Sequence, residues 1–459
     1  MSKKWFLVYL IAILLLPVFL LVTIRLKSPS EIIVPPGYYG ATAEVQAAFT
    51  ASLAPNDRQN VSLKYPVSGN HRTAFVVKNL DKDEEKEVIV FYSLSTEETV
   101  VRMNILDKID GEWISVYDEP GYGSEIVSVD FDDLNEDGET EVLCNWSLYD
   151  SQSSMVLSIY SVKAMQNKPI QMNVLVTQTN YCSNVIDIDN DGKDEILLIC
   201  NDSKSEPAAS MQKTSAFVLK MLDDDKIVTL GKPIPLDSAV SFYGRMRIQN
   251  DAGSNIAFID AFKGDNVMIT EALFWDANKQ SLAAPLFDNE TLSNNLTTRS
   301  PAVPSIDYDG DGIVDIPVNG VFNSIDEENN KSTDESKIEL THWKNLIHGS
   351  LVTKSYAFVN ASEEYWFKVP DSLAKNLLAY KTDTGVMTVY TTTDGKTKGE
   401  PLFSLVSKKK TQLTEKDTYT FKKENDEYVV YGTLTSAGKA LGFSDDKMAE
   451  NIYFLVKGV

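Results

Sequence analysis

The sequence has few of the residues that form catalytic metal or redox centres. Only three cysteines and three histidines occur among its 459 residues. Cys-x-x-Cys and His-Glu-x-x-His are absent, which argues against the common kinds of zinc site. The Gly-rich phosphate-binding loops and the Gly-x-Ser-x-Gly motif of many hydrolases are also missing. These absences favour a binding protein over an enzyme.

Three cysteines are too few for a disulfide framework. Cys182 and Cys200 flank one acidic loop and could face each other across neighbouring strands. Buried free thiols are the simpler interpretation for both, and Cys144 lies in the run VLCNW, where a core position is expected. We therefore do not expect the fold to depend on disulfides.

Positive charge is also scarce, with 43 Lys and Arg against 66 Asp and Glu and a formal net charge of −23. A nucleic-acid partner is not expected, because a phosphate backbone requires a basic face. The acidic residues recur in short clusters rather than in one tail. This distribution indicates local cation sites.

Charge is absent from one long stretch near the N-terminus. Residues 5–24 read WFLVYLIAILLLPVFLLVTI, twenty residues that can cross a hydrocarbon core of about 30 Å as a helix. A cleaved signal peptide is the alternative, but its apolar region is usually about 7–15 residues. We expect residues 1–30 to be an uncleaved, single-pass signal anchor in the cell membrane, with the folded domains extracellular. Residues 31–59 would be a linker with a short helix at 42–53.

Short acidic segments repeat along the chain. DLNEDGETEV (133–142), DIDNDGKDEI (187–196) and DYDGDGIVDI (307–316) share one template, Asp-x-Asp/Asn-x-Asp-Gly-x-x-Asp/Glu-aliphatic. NLDKDEEKEV (79–88) is a worn copy and IQNDAGSNIAF (248–258) a more eroded one. Aligned on the last acidic position, the copies fall at 87, 141, 195, Asn255 and 315, with spacings of 54, 54, 60 and 60 residues. This regular spacing indicates an internal structural repeat.

Apolar, strand-like runs precede and follow each copy, and the helical period is nearly absent from residues 60–360. About four strands per unit of 50–60 residues are typical of a propeller blade. The sequence thus predicts a mainly β fold, with a β-propeller of five visible blade units at 60–365. The segment 337–369 could complete the last blade, and VSLKYPV (61–67) could close the ring with it.

The loop template suits a hard cation. When such a loop curls, side chains at positions 1, 3 and 5, a carbonyl at 7 and a carboxylate at 9 converge, while Gly at 6 permits the turn. Oxygen ligands of this kind favour calcium. An EF-hand is not expected, because position 12 is Cys144, Leu198 or Val318 and strands flank the loop. A metal-free Asp/Gly hairpin turn is the alternative, and it is preferred for 248–258.

The three intact loops resemble the FG-GAP or VCBS repeats of integrin-α-like β-propellers of the bacterial surface type. In that family the loop joins two strands of a blade and holds calcium, although those propellers usually have seven blades. The resemblance implies three calcium sites, with the carbonyl of the fourth residue in each set as a ligand: Asp133, Asn135, Asp137, Glu139 and Glu141; Asp187, Asp189, Asp191, Lys193 and Glu195; and Asp307, Asp309, Asp311, Ile313 and Asp315.

The acidic loop disappears after residue 365, and residues 366–459 predict a small α+β domain with a helix and a last strand at 435–457. Taken together, these patterns predict a membrane-anchored extracellular calcium-binding propeller that acts as a binding or scaffold module for a cell-surface protein or glycan. A polysaccharide lyase, a glycoside hydrolase or an adhesion receptor on the same propeller remains open, because one fold hosts many functions.

Overall fold

A computed structural model describes residues 42–148, 154–165, 168–202, 213–251, 253–264, 266–319, 335–414 and 417–455. The predicted membrane anchor lies outside these ranges. Within them, no helix combines the length and the apolar character needed to cross a membrane. The described chain is mainly β, which confirms the predicted class, and its sheets are antiparallel. A closed propeller is not found among the described residues, so the ring of blades stays a prediction.

Contacts divide the chain into two compact units. The first comprises Met1–Phe131, Glu139–Tyr149 and Ser158–Val174, and the second comprises Asp132–Gly138, Asp150–Leu157 and Leu175–Val459. The predicted domain boundaries stay a prediction, and the one at residues 365 and 366 falls inside a strand.

The first unit begins with helix α1 (Ala43–Ser52), whose Val45 and Phe49 are buried in an apolar cluster. The Thr42 side chain accepts a hydrogen bond from the Val45 amide at 3.3 Å and caps this helix. The adjoining sheet consists of β1 (Val61–Lys64), β2 (Phe75–Lys78), β3 (Glu87–Leu94), β4 (Arg102–Ile109) and β5 (Glu112–Pro120).

Strands β1 and β2 both pair with β3, at successive positions along the same strand. The expectation that VSLKYPV would pair with the last sheet is therefore wrong, because Val61 to Lys64 match Leu94 to Phe91 within the first sheet.

A second sheet has the order β6 (Glu125–Asp132), β7 (Glu141–Ser147), β8 (Met155–Met165) and β9 (Lys168–Asn180). Trp146 of this sheet is fully buried. Its indole nitrogen donates a hydrogen bond of 2.7 Å to the Ser158 hydroxyl. Gly121 lies against this indole, where an added Cβ would come within 2.4 Å of the ring. Only glycine permits so close an approach.

Two four-stranded sheets of the second unit follow in chain order. One consists of β10 (Cys182–Ile186), β11 (Glu195–Asp202), β12 (Lys213–Met221) and β13 (Ile227–Pro235), and the other of β14 (Phe242–Asp251), β15 (Ser254–Phe262), β16 (Met268–Asp276) and β17 (Ser281–Ala283). Their facing apolar side chains form one core cluster. The three cysteines are free and buried, as the sequence analysis preferred.

The rest of the second unit forms two sheets. One has the order β18 (Ile316–Val318), β20 (Leu340–Ile347), β21 (Ser350–Asn360), β22 (Tyr365–Val369) and β28 (Ile452–Phe454). The other has the order β19 (Glu335–Ile338), β23 (Leu377–Thr382), β24 (Met387–Thr391), β25 (Pro401–Lys409), β27 (Tyr428–Leu434) and β26 (Phe421–Glu424). Segment 337–369 thus pairs with the strand after the last acidic loop, as expected.

The predicted C-terminal helix is two short helices, α2 (Ser436–Ala440) and α3 (Asp445–Glu450). Gly442 lies between them with φ of +93°, a left-handed conformation that interrupts a helix and that glycine adopts without strain. Strand β28, which follows α3, pairs with β22 rather than with the C-terminal sheet.

Candidate cation-binding loops

The acidic segments lie where the sequence placed them, immediately before a buried strand. We call them loop 1 (79–87), loop 2 (133–141), loop 3 (187–195) and loop 4 (307–315). Loop 1 precedes β3, loop 2 precedes β7, loop 3 precedes β11 and loop 4 precedes β18. The eroded copy at 248–258 is the tight hairpin between β14 and β15, where Asp251 pairs with Ser254.

A buried carboxylate at position 9 closes three of these loops. It accepts a hydrogen bond from the amide at position 2: Glu87 from Leu80 at 2.6 Å, Glu195 from Ile188 at 3.2 Å and Asp315 from Tyr308 at 3.1 Å. These carboxylates have exposed fractions of 0%, 0% and 3%. The acidic residues beside the apolar strand thus have a structural role. The position-9 carboxylate accepts the hydrogen bond of a backbone amide in the turn, where a backbone carbonyl would otherwise be needed.

The glycine at position 6 has a second role in loops 2, 3 and 4. The amides of Gly138, Gly192 and Gly312 donate to the position-1 carboxylates of Asp133, Asp187 and Asp307, at 3.0, 3.1 and 2.8 Å. Their φ angles of 103°, 97° and 84° lie in the left-handed region. Loop 1 has Glu84 at this position, and there the Lys82 amide donates to Asn79 Oδ1 at 2.7 Å.

A lysine ammonium lies among the carboxylates of loop 3. Lys220 Nζ on β12 is 3.3 Å from Asp189 Oδ2, 2.5 Å from Asp191 Oδ2 and 2.6 Å from Glu195 Oε1. Burial lowers the pKa of Lys220, but its hydrogen bonds with Asp191 and Glu195 outweigh burial and raise that pKa above its ordinary value. The same ammonium lowers the pKa of Asp191.

Loop 4 has the same arrangement with a lysine from another strand. Lys354 Nζ on β21 is 2.8 Å from Asp309, 2.7 Å from Asp311 Oδ2 and 3.1 Å from Asp315 Oδ1. The Asn345 amide nitrogen also donates to Asp315 Oδ1 at 2.9 Å.

Calcium requires oxygen atoms on all sides, and an ammonium group at the centre of the cluster occupies the position of a metal ion. The side chains of loops 3 and 4 therefore do not fit calcium while Lys220 and Lys354 are in place. Three predicted carboxylates of each loop lie around its lysine, while Asp187 and Asp307 accept from the glycine amides. Ligand atoms of Asp187, Asp189 and Glu195, and those of Asp307, Asp309 and Asp311, also lie within 4.8 Å of one another.

Loop 2 is divided between the two compact units, with residues 133–138 in the second and 139–141 in the first. In the second unit, the Asn135 amide nitrogen donates to Asp137 Oδ2 at 3.2 Å and to Asp225 Oδ1 at 3.1 Å. In the first unit, Glu141 is buried, and Glu139 Oε1 accepts from the Ala164 amide at 2.6 Å. The predicted ligand assignment of loop 2 stays a prediction.

Loop 1 brings its carboxylates together without a lysine. Ligand atoms of Asp81, Asp83 and Glu87 lie within 4.8 Å of one another. Glu87 is fully buried, and its Oε1 atom has no hydrogen-bond partner among the described residues. Burial, together with the charges of Asp81 and Asp107, raises the pKa of Glu87 to about 8. An orphaned buried carboxylate oxygen beside two further carboxylates fits a hard cation.

Asp107 on β4 is a carboxylate beside this cluster that the sequence analysis missed. Val88 pairs with Leu106, so Asp107 follows along β4 beside Glu87. It is buried, and its Oδ2 atom accepts from the Ile170 amide at 3.1 Å. Burial raises the pKa of Asp107, as do the charges of Asp81 and Asp83. The sequence holds no local signal for Asp107, since it lies outside the loop.

A second feature that the sequence did not reveal is the buried ion pair of Asp260 and Arg299. Arg299 Nη2 lies 2.7 Å from Asp260 Oδ1, and the two side chains are 1% and 0% exposed. Asp260 also accepts from Arg247 at 3.0 Å and from the Thr270 hydroxyl at 2.9 Å. These contacts satisfy the buried charges, as an ion pair in the interior requires.

One concavity of the second unit, of about 460 Å³, is lined by polar and apolar side chains together, namely Asn184, Arg245, Met246, Arg247, Ile248 and Ile306. Arg245 is exposed there. Carboxylates are not among its described lining residues.

Neither a protein family nor a curated protein matches the chain. Among solved structures, a levansucrase variant of B. megaterium is 9% identical, with 70% of this chain and 88% of that chain covered and a TM-score of 0.27. Sqt1 of Saccharomyces cerevisiae is 8% identical, with 77% and 85% covered and a TM-score of 0.29. An apocarotenoid oxygenase variant of Synechocystis is 9% identical, with 69% and 65% covered and a TM-score of 0.24. Likeness this distant carries no conclusion about function.

Proposed function

We propose that this chain is a membrane-anchored, extracellular binding or scaffold module of the FG-GAP or VCBS type, whose sheets form a propeller held by cation-neutralised loops. The observation that carries the proposal is the recurrence of one loop with the same buried carboxylate and the same hydrogen bond to position 2. Repetition of a structural connector at a fixed spacing is typical of a scaffold built from identical units.

The apolar segment at residues 5–24 supports attachment to a membrane. A cation would be structural in this role, because it neutralises carboxylates at the start of a core strand. Calcium at extracellular concentration suits such a loop, since extracellular modules bind it with a Kd on the order of 10⁻⁴–10⁻³ M.

The concavity at Arg245 is the position proposed for a ligand. A guanidinium group in a polar recess favours a carboxylate, so an acidic glycan or an acidic protein segment is the ligand class that its chemistry supports. Binding of a carboxylated glycan should weaken in Arg245→Ala and remain in Lys232→Ala, a cation outside this lining.

Surface labelling of intact cells tests the location. The full chain with a C-terminal tag should react with a membrane-impermeant reagent before lysis, and removal of residues 5–24 should release the tag from the membrane fraction. Labelling of the tag only after permeabilisation would contradict the proposal.

A further inference from the structure

The carboxylate oxygens of loops 1 and 3 divide into the same two sets. In loop 3, Asp189 Oδ1 accepts from the Asp191 amide at 3.2 Å and Asp191 Oδ1 from the Lys193 amide at 3.0 Å. With the Glu195 Oε2 bond described above, each carboxylate uses one oxygen for the loop backbone. The other oxygen of each faces Lys220.

Loop 1 repeats the backbone set. Asp81 Oδ1 accepts from the Asp83 amide at 3.1 Å, Asp83 Oδ1 from the Glu85 amide at 2.7 Å and Glu87 Oε2 from the Leu80 amide at 2.6 Å. These hydrogen bonds leave the second oxygen of each carboxylate, which in loop 3 contacts the ammonium group. Of these, Glu87 Oε1 is fully buried and has no partner in the part of the chain that the structure describes.

The strand next to the loop carries a different residue at the corresponding position in the two sheets. Ile196 pairs with Leu219 in the third sheet, and Val88 pairs with Leu106 in the first. The next residue along β12 is Lys220 and the next along β4 is Asp107, so a carboxylate stands where loop 3 has an ammonium group. Lys108 is near, but its Nζ pairs with Glu85 at 3.2 Å. Among the described residues, no cationic side chain pairs with Asp81, Asp83, Glu87 or Asp107.

Three carboxylates whose ligand atoms lie within 4.8 Å of one another, with Asp107 beside them and one buried oxygen that lacks a partner among the described residues, form a built site for a hard divalent cation. We propose that loop 1, completed by Asp107, is the calcium site, and that Lys220 and Lys354 replace the metal ion in loops 3 and 4. The worn copy is then the metal-binding one, while two copies with intact spacing hold their charge by an ion pair. This inference deepens the structural role proposed for the loops and is independent of the cellular location.

Calcium binding to matched variants tests it. Asp83 and Asp191 both occupy position 5 of their loops, so Asp83→Asn and Asp191→Asn form a matched pair. Equilibrium dialysis of the full chain in detergent, with calcium as the probe, counts bound ions. We expect Asp83→Asn to lose one ion per chain and Asp191→Asn to lose none. An unchanged count in Asp83→Asn, or the loss of an ion in Asp191→Asn, would overturn the proposal.

A gain of binding provides the second measurement. Lys220→Met removes the ammonium and leaves the loop 3 oxygens in place, so the variant should bind one more ion than the native chain. Its unfolding midpoint should also rise on addition of calcium by more than that of the native chain. Circular dichroism confirms that each variant is folded, and Glu87→Gln replaces Asp83→Asn if the latter does not fold. No added ion in folded Lys220→Met would contradict the replacement of the metal by lysine.

The calcium counts and the cell-surface labelling test different proposals and can fail independently. If the tag is intracellular but the calcium counts follow the prediction, only the location is wrong. If the tag is extracellular and the counts do not follow, the surface role stands and the cation assignment fails.

Discussion

Loops 1 and 3 begin from nearly the same sequence template and bury the same carboxylate, yet the neighbouring strands bring them side chains of opposite charge. Loop 3 receives an ammonium group from β12, with Lys220 2.6 Å from Glu195. Loop 1 receives another carboxylate from β4, with Asp107 beside Glu87. A loop motif therefore defines the geometry of the oxygens, whereas the neighbouring strand decides whether a counter-charge lies among them.

The largest effect is expected at the ion pair that is buried completely. Arg299→Met leaves Asp260 charged and without its main partner in the interior, which costs about 3–5 kcal/mol of unfolding free energy. Chemical denaturation measures the loss, and the conservative Arg299→Lys should recover part of it. An unchanged midpoint in Arg299→Met would show that Asp260 does not depend on this arginine.

The next largest effect on stability is expected at Glu271, a buried carboxylate whose hydrogen-bond donors are uncharged. It serves as a reference for the buried carboxylates of the loops. Burial raises the pKa of Glu271 to about 7, while Asn294 and the Asp237 amide donate to it. The folded chain therefore holds this proton more tightly than the unfolded chain does, and stability falls as pH rises from about 4.5 through 7. The loss is of the order of 2–3 kcal/mol.

Glu271→Gln should flatten the dependence of the unfolding free energy on pH across this interval, since the amide does not titrate. Denaturation at several pH values measures it. A native-like slope in Glu271→Gln would assign the pH dependence to another group.

Removal of the loop 3 lysine should have an intermediate effect. In the presence of a chelator, Lys220→Met leaves three carboxylates without their cation and should cost about 2 kcal/mol, less than a completely buried pair because the lysine side chain is 14% exposed. Thermal unfolding with chelator and then with calcium measures both the loss and its recovery. Full stability in chelator would show that the ammonium contributes little.

The smallest change in stability, about 1 kcal/mol, is expected when loop 1 is given the loop 3 arrangement. Asp107→Lys places an ammonium at the loop 1 position that corresponds to Lys220, but it also removes the acceptor of the Ile170 amide. Stability in chelator should therefore change little, while the response of loop 1 to calcium should be lost. Glu112→Lys on the same hairpin, at an exposed strand position, provides the matched control. A retained calcium response in Asp107→Lys would place the ion elsewhere.

Much of the architecture could be predicted from the chain alone. The regular spacing of the acidic loops corresponds to successive sheets, and position 9 begins the buried strand in loops 1, 2 and 3. These features are local, because the turn glycine, the acidic template and the apolar run lie within about ten residues. The lysines could not be predicted in this way. Lys220 is 25 residues from Glu195 and Lys354 is 39 residues from Asp315.

Contact at such separations depends on strand register. A shift of one residue would turn Lys220 to the opposite face of β12, so the ion pairs become visible only once the pairing of Ile196 with Leu219 is known. The same reasoning applies to Asp107, whose importance follows from its neighbour on β3 and not from its own surroundings in the sequence.

The pairing of β22 with β28 has a consequence for the order of events during synthesis. About eighty residues separate these two neighbours in the sheet, and five of the six strands of the other C-terminal sheet are translated between them. At roughly 5–20 residues per second, the backbone edge of β22 waits on the order of ten seconds for its partner on the ribosome. During that interval the edge is open to pairing with another chain, so a chaperone that covers β22 at this stage would most protect the nascent protein.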